Sequence, residues 1–114
     1  MKPFSSDFLW GATLSAHAVE GGHFASDWWR WEQRPGRIAD GATSQVASDH
    51  WGRFRKDVEL ARKFGLNALL VSLEWSRIEP RPGEMDRDSL GHYRSVFEFM
   101  REAGIEPIVA LQEV

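Results

Sequence analysis

The sequence predicts an α/β protein built on a parallel sheet, and three observations carry that expectation. Two segments space their apolar residues by threes and fours, as one face of a helix requires. Each ends at a glycine and leads into a short, nearly unbroken apolar run suited to a strand buried on both faces. The two junctions also match: Gly65-Leu66-Asn67-Ala68-Leu69-Leu70-Val71 and Gly104-Ile105-Glu106-Pro107-Ile108-Val109-Ala110 lie 39 positions apart, the mark of a repeated helix-strand unit.

In chain order, the apolar run Phe8 to Ala16 reads as a first strand, followed by a long loop. Between Ala47 and Phe64 the stripe Trp51, Phe54, Val58, Ala61 defines the first helix, with Arg53, Arg55, Lys56, Asp57, Glu59 and Arg62 on its other faces. Gly65 stops it, with Arg62 and Lys63 placed favourably in the last turn. Ala68 to Leu73 is the second strand. The second helix carries Leu90, Tyr93, Phe97 and Met100, takes its cap from Asp86, Asp88 or Ser89, and stops at Gly104. Pro107 to Leu111 is the third strand. Such alternation argues for a parallel sheet but leaves open a barrel or a doubly wound sheet. No Gly-x-Gly-x-x-Gly turn follows the first strand to favour a dinucleotide fold.

Composition excludes several classes. With 42% hydrophobic residues, 27% charged and a net charge of -3, the 114-residue chain groups with ordinary globular proteins. No run approaches the 18 or so apolar residues of a membrane span, so no membrane is expected as a partner. No clustered basic face is available for nucleic acid. Met1 to Asp7 has one positive charge and no apolar core, which predicts no secretory signal, and zero cysteines remove disulfides and thiolate metal sites. A cytoplasmic location is expected. His17, His23, His50 and His92 lack His-x-x-x-His spacing, so no metal site is expected.

The motifs are more specific. Phe8-Leu9-Trp10-Gly11-Ala12-Thr13, Ser15-Ala16-x-x-x-Glu20-Gly21, Pro35-Gly36-Arg37-Ile38, Ala47-x-Asp49-His50-Trp51, Asn67-Ala68, Ser72-Leu73-Glu74-Trp75-Ser76-Arg77-Ile78-Glu79-Pro80 and Gly104-Ile105-Glu106-Pro107 follow one another from Phe8 to Leu111. In order and spacing they resemble the N-terminal third of glycoside hydrolase family 1, the β-glucosidases and other β-glycosidases. The resemblance implies a (β/α)8 TIM barrel, hydrolysis of β-glycosides with retention by two glutamates, a carbohydrate as partner, and no cofactor. A whole barrel needs about 250 residues. Residues 1–114 are therefore read as an N-terminal fragment of one barrel domain, with about the first three strands and two main helices.

By the same resemblance the catalytic pair sits at the ends of the fourth and seventh strands, so neither of its members is expected in this chain, and the chain alone is expected to be inactive. Four sugar-pocket positions depart from the pattern. Ala18 stands where the family has a Gln for sugar hydroxyls, Leu70 where it has an Arg beside the nucleophile, and Glu113 and Val114 where it has a His and an aromatic. The scaffold motifs are intact. Three readings follow: a β-glycosidase with a changed substrate, a non-catalytic sugar-binding relative, or a part-barrel that completes its sheet with another chain. The isolated chain is expected to self-associate.

Substitute acids are Glu74 and Glu113. Alternation places Leu70, Ser72 and Glu74 on one side of the second strand and Val109, Leu111 and Glu113 on one side of the third. If both sides face the barrel interior, the two glutamates stand at its mouth on strands about 4.8 Å apart. Against this, Glu74 falls in a scaffold motif where it and Arg77 make polar contacts. Glu20 reads as structural, and His50 as a polar tie at a helix start. Trp28, Trp29 and Trp31 suit either packing or stacking on a sugar.

Overall fold

The computed structural model describes residues 2–113, so Val114 lies outside the described residues. Its elements are β1 (Gly11–Leu14), α1 (Ala16–Val19), α2 (Asp27–Glu32), α3 (His50–Lys63), β2 (Ala68–Ser72), α4 (Trp75–Ile78), α5 (Arg87–Glu102) and β3 (Glu106–Ala110). The two long helices end alike. Gly65 and Gly104 take positive φ of 79° and 76°, a conformation that costs a residue with a Cβ. The next amides turn back onto the last helical turn, Leu66 to the Ala61 carbonyl and Ile105 to that of Met100, at 3.1 and 2.9 Å. Asp86 caps α5 by accepting from the amides of Asp88 and Ser89.

The three strands are all parallel, in the order β1-β2-β3. Register aligns Thr13, Leu70 and Ile108 across the sheet, and Leu14, Val71 and Val109 one position on. Aligned side chains share a face. On one face Leu69 and Val71 pack against Phe54, Val58 and Ala61 of α3, Val96 and Met100 of α5, and Ile105, with Leu14 at the margin. Each large apolar side chain buried there contributes about 1.5–3 kcal/mol. Both crossover helices thus cover the same face, while Leu70 is only half-buried and Ile108 is exposed on the other. A doubly wound sheet would carry helices on both faces. One-sided cover with sequential strand order is an arc of a βα-barrel.

Four expectations need correction. The first strand is shorter than Phe8 to Ala16, because Phe4, Phe8 and Trp10 gather into an aromatic cluster with centroids 4.5–4.9 Å apart, ahead of β1. The chain also turns into α1 at Ala16 where a long loop was expected, which puts Ala18 on an exposed helical position. The buried stripe of α5 is Ser89, Tyr93, Val96 and Met100, with Leu90 exposed. Its roll is fixed by the Tyr93 hydroxyl, which reaches inward to Glu20. Finally, β3 residues sharing the Leu70 and Ser72 face are Ile108 and Ala110, not Val109 and Leu111. Strand parity was off by one, and β3 ends at Ala110, so alternation does not extend to Glu113.

Among the described residues the outer edges of β1 and β3 have no strand partner, and Ile108, Val109 and Leu111 are exposed. Open edges recruit other chains. The isolated 114-residue chain is expected to associate in a concentration-dependent way during sedimentation and to bind a hydrophobic dye; a strictly monomeric sample with one sharp thermal transition would contradict this.

Candidate active site

The C-terminal ends of the strands converge on an open cavity of about 370 Å³. Ser15 beyond β1, Ser72 and Glu74 at the end of β2, and Gln112 and Glu113 beyond β3 all line it, joined by His17, Asp27, Trp75 and Glu79. This is the end of the sheet where barrel enzymes hold their chemistry. Among the described residues no Lys or Arg lines the cavity, whereas four carboxylates do.

Behind it lies a buried polar network. Glu20, 3% exposed, receives the Tyr93 hydroxyl at 2.9 Å and Arg77 Nε at 3.1 Å. Arg77 also donates to the Gly21 carbonyl and lies 3.9 Å over the Trp51 ring, on which His92 stacks at 3.8 Å. The Tyr93 oxygen accepts the Glu74 amide at 2.9 Å. His23, fully buried, hydrogen-bonds Glu74 Oε2 through Nδ1 at 2.8 Å, and its Nε2 stands 3.7 Å from Glu20.

Environment separates the two glutamates. Burial raises the Glu20 carboxyl above its ordinary value, and the Tyr93 hydrogen bond and the Arg77 charge offset this only in part. Burial also acts upward on Glu74, but hydrogen bonds from His23 and Ser76 outweigh it and bring the carboxyl to about 2. Tyr93, buried beside the Glu20 charge, is pushed well above the usual phenol range. Glu74 is therefore ionised throughout the physiological range.

Several sequence-level candidates now have addresses. Glu74 and Glu113 do share the cavity wall, Glu74 as the cap of α4 and not as a strand residue. Leu70 lies on the open sheet face, and Ala18 is exposed on α1 beside His17, which reaches the cavity where Ala18 does not. His50 at the start of α3 holds Asp57 at 2.7 Å, a polar tie as expected. Trp28 and Trp31 are 44% and 37% exposed and meet edge to face at 5.6 Å, while Trp29 packs on Phe24. Sequence reading missed His23 and Tyr93 as site-ordering groups. It also missed Glu32, which accepts from the Ser44 amide and hydroxyl at 2.8 Å and approaches His17 at 3.6 Å. The hydrogen-bonded partners are 12 to 73 positions apart, a separation no local pattern reveals. No group of three or more potential ligands among the described residues is placed to hold a metal ion, and no helix is long and apolar enough to cross a membrane.

An arc of parallel βα units with an acid-lined cavity at its C-terminal rim defines part of a TIM-barrel scaffold. The family model described as glycosyl hydrolase family 1 matches residues 1–113, and the chain belongs to that family. It is 34% identical to β-glucosidase A of Acetivibrio thermocellus over 95% of its own length and 25% of that protein. It is likewise 34% identical to a rice protein named probable inactive β-glucosidase 14, over 95% and 22%. Among solved structures, β-glycosidase BGL167 matches at 40% identity and a TM-score of 0.91, over 98% of this chain and 27% of that one. The β-glucosidase of Thermotoga maritima in complex with deoxynojirimycin matches at 32% and 0.93, over 99% and 27%. The chain spans about a quarter of the length of the relatives it matches.

The depressed Glu74 carboxyl has a signed consequence. Its contribution to stability is present above the ordinary value of 4.5 and is lost as pH falls toward about 2. In the complete protein, melting temperature measured from pH 6 to pH 2.5 should fall less steeply for Glu74→Gln than for the unmodified protein, from a lower starting value. Parallel curves would contradict the assignment.

Proposed function

We propose that this chain forms the first part of a barrel that acts on β-glycosides, contributing one wall of the sugar pocket but not the hydrolytic pair. The observation that carries the reading is the cavity at the C-terminal strand ends, where Glu74, Trp75 and Glu113 meet. Support comes from family membership and from the Thermotoga relative, solved with deoxynojirimycin. Carbohydrate recognition is thus the proposed role of the complete protein, and its cysteine-free sequence suits a cytoplasmic setting.

Glu74 is poorly suited to be a proton donor, because a carboxyl near 2 holds no proton at neutral pH. Glu113, exposed and beyond the last strand, is fixed by no hydrogen bond among the described residues. A misplacement of about 1 Å can cost roughly a hundredfold in rate. Purified 114-residue chain should release no nitrophenol from nitrophenyl β-glycosides above a Glu74→Gln/Glu113→Gln control. Activity that persists through purification and vanishes in that double variant would overturn the reading and make the two glutamates a catalytic pair.

A non-catalytic sugar-binding protein is the second reading, and Leu70 favours it. An apolar side chain replaces the cation that the family resemblance places beside the nucleophile, and loss of a cation raises a neighbouring carboxyl. The two readings part on one experiment with the complete protein. If catalysis survives with altered specificity, Leu70→Arg and Glu113→His together should improve turnover of an aryl β-glucoside, the first by returning a cation beside the nucleophile and the second by returning a partner to a sugar hydroxyl, worth about 1–3 kcal/mol when buried. Unmodified protein already as fast as the Thermotoga enzyme would refute the pocket argument.

A further inference from the structure

We propose that Glu74 is a sugar-binding residue, a hydrogen-bond acceptor for one substrate hydroxyl, and that His23 is its positioning residue. The proposal rests on the reading of the cavity as a β-glycoside pocket and deepens it by assigning a role to a residue otherwise placed in the scaffold.

The argument begins with acceptor counting. An ionised carboxylate offers about four lone-pair sites. Glu74 Oε1 uses two of them, taking the Ser76 amide at 3.2 Å and the Ser76 hydroxyl at 2.7 Å. Oε2 uses one, from His23 Nδ1 at 2.8 Å. One site on Oε2 is left, on a side chain that lines the cavity and retains 15% exposure. Three donors arriving from two segments of chain fix the carboxylate while leaving it one bond to make.

The neighbouring surface suits the same ligand. Trp75, the next residue, lines the cavity with 40% of its surface exposed. Its indole N–H is already committed to Glu79 Oε2 at 2.8 Å, so what it offers a ligand is apolar ring surface. A charged acceptor beside an aromatic surface matches a sugar, which presents hydroxyl donors around an apolar ring face. Hydrogen bonds to a charged acceptor are the stronger kind.

His23 keeps the acceptor charged and in place. It is completely buried, with Glu74 at Nδ1 and Glu20 at Nε2, and no substrate can touch it. The groups facing Glu74 are His23 and, behind it, Glu20, Arg77 and the Tyr93 hydroxyl, with His17, Asp27, Glu79 and Glu113 across the cavity. Replacing His23 by Gln removes the imidazole that draws the carboxyl down and leaves the upward effect of burial less opposed. The acceptor then takes up a proton at higher pH and ceases to accept through that oxygen.

The test uses the complete protein and nitrophenyl β-thioglucoside, an unreactive and uncharged probe, with affinity measured by calorimetry from pH 7 to pH 4.5. Absence of binding by the unmodified protein would defeat the β-glycoside reading itself. Given binding, Glu74→Gln is expected to weaken it about tenfold at pH 7. His23→Gln is expected to lose affinity severalfold more than the unmodified protein between pH 7 and pH 4.5. Should Glu74→Gln fail to fold, the His23→Gln profile decides alone. A scaffold role would lower the melting temperature while leaving the dissociation constant and its pH profile at the unmodified values, and that result would overturn the proposal with the broader reading intact.

Discussion

The arrangement of the mouth depends on one buried charge. Glu20 sits between α1 and α2 at 3% exposure, where an unpaired carboxylate could not persist. Its partners come from elsewhere in the chain: Tyr93 from the middle of α5 and Arg77 from α4. Removing one member of a buried ionic pair costs about 3–5 kcal/mol, so the three elements are held in one geometry or the charge is stranded. Tyr93 passes the constraint on by accepting the Glu74 amide, and His23 does so through its hydrogen bond to Glu74, its Nε2 lying 3.7 Å from Glu20. The direction of the chain as it leaves β2 is thereby set by groups behind the cavity.

The sheet imposes a second condition. With α3 and α5 on one face, the other face can be only a lining, and its composition has to suit what it lines. Leu70 and Ile108, level with each other, make that surface apolar near its middle, while the Ser72 hydroxyl at the rim accepts the Ala16 amide at 2.8 Å. Hydrophobic layers inside and polar groups at the C-terminal rim are the division of labour of a barrel.

Much of this was legible because it is local. The stripe of α3, the glycines after each long helix and the Asp86 cap are decided within a few residues, and apolar runs marked the strands. The failures have a common source in distant partners. Which face of β3 turns inward is set by register against β2, and alternation counted from sequence placed Val109 where Ile108 belongs. The roll of α5 follows a hydroxyl bond to a residue 73 positions earlier, which exposed Leu90 and buried Val96. His23 carried no spacing signal toward Glu74, 51 positions on, so the network that governs the site was invisible although most of its motifs were not.

The same network bears on the absent cation. A carboxylate can be kept ionised either by a neighbouring positive charge or by donated hydrogen bonds, and the two leave different surfaces behind. A cation exposed in a cavity is itself available to a ligand, and it attracts anions. Hydrogen bonds delivered from within, as Ser76 and His23 deliver them to Glu74, stabilise the charge without placing a cation in the cavity. The ionisable side chains of this wall are then the carboxylates Asp27, Glu74, Glu79 and Glu113, with His17 beside them. Such a wall presents hydrogen-bond acceptors and negative charge together, a surface that suits hydrogen-bond donors and repels anions.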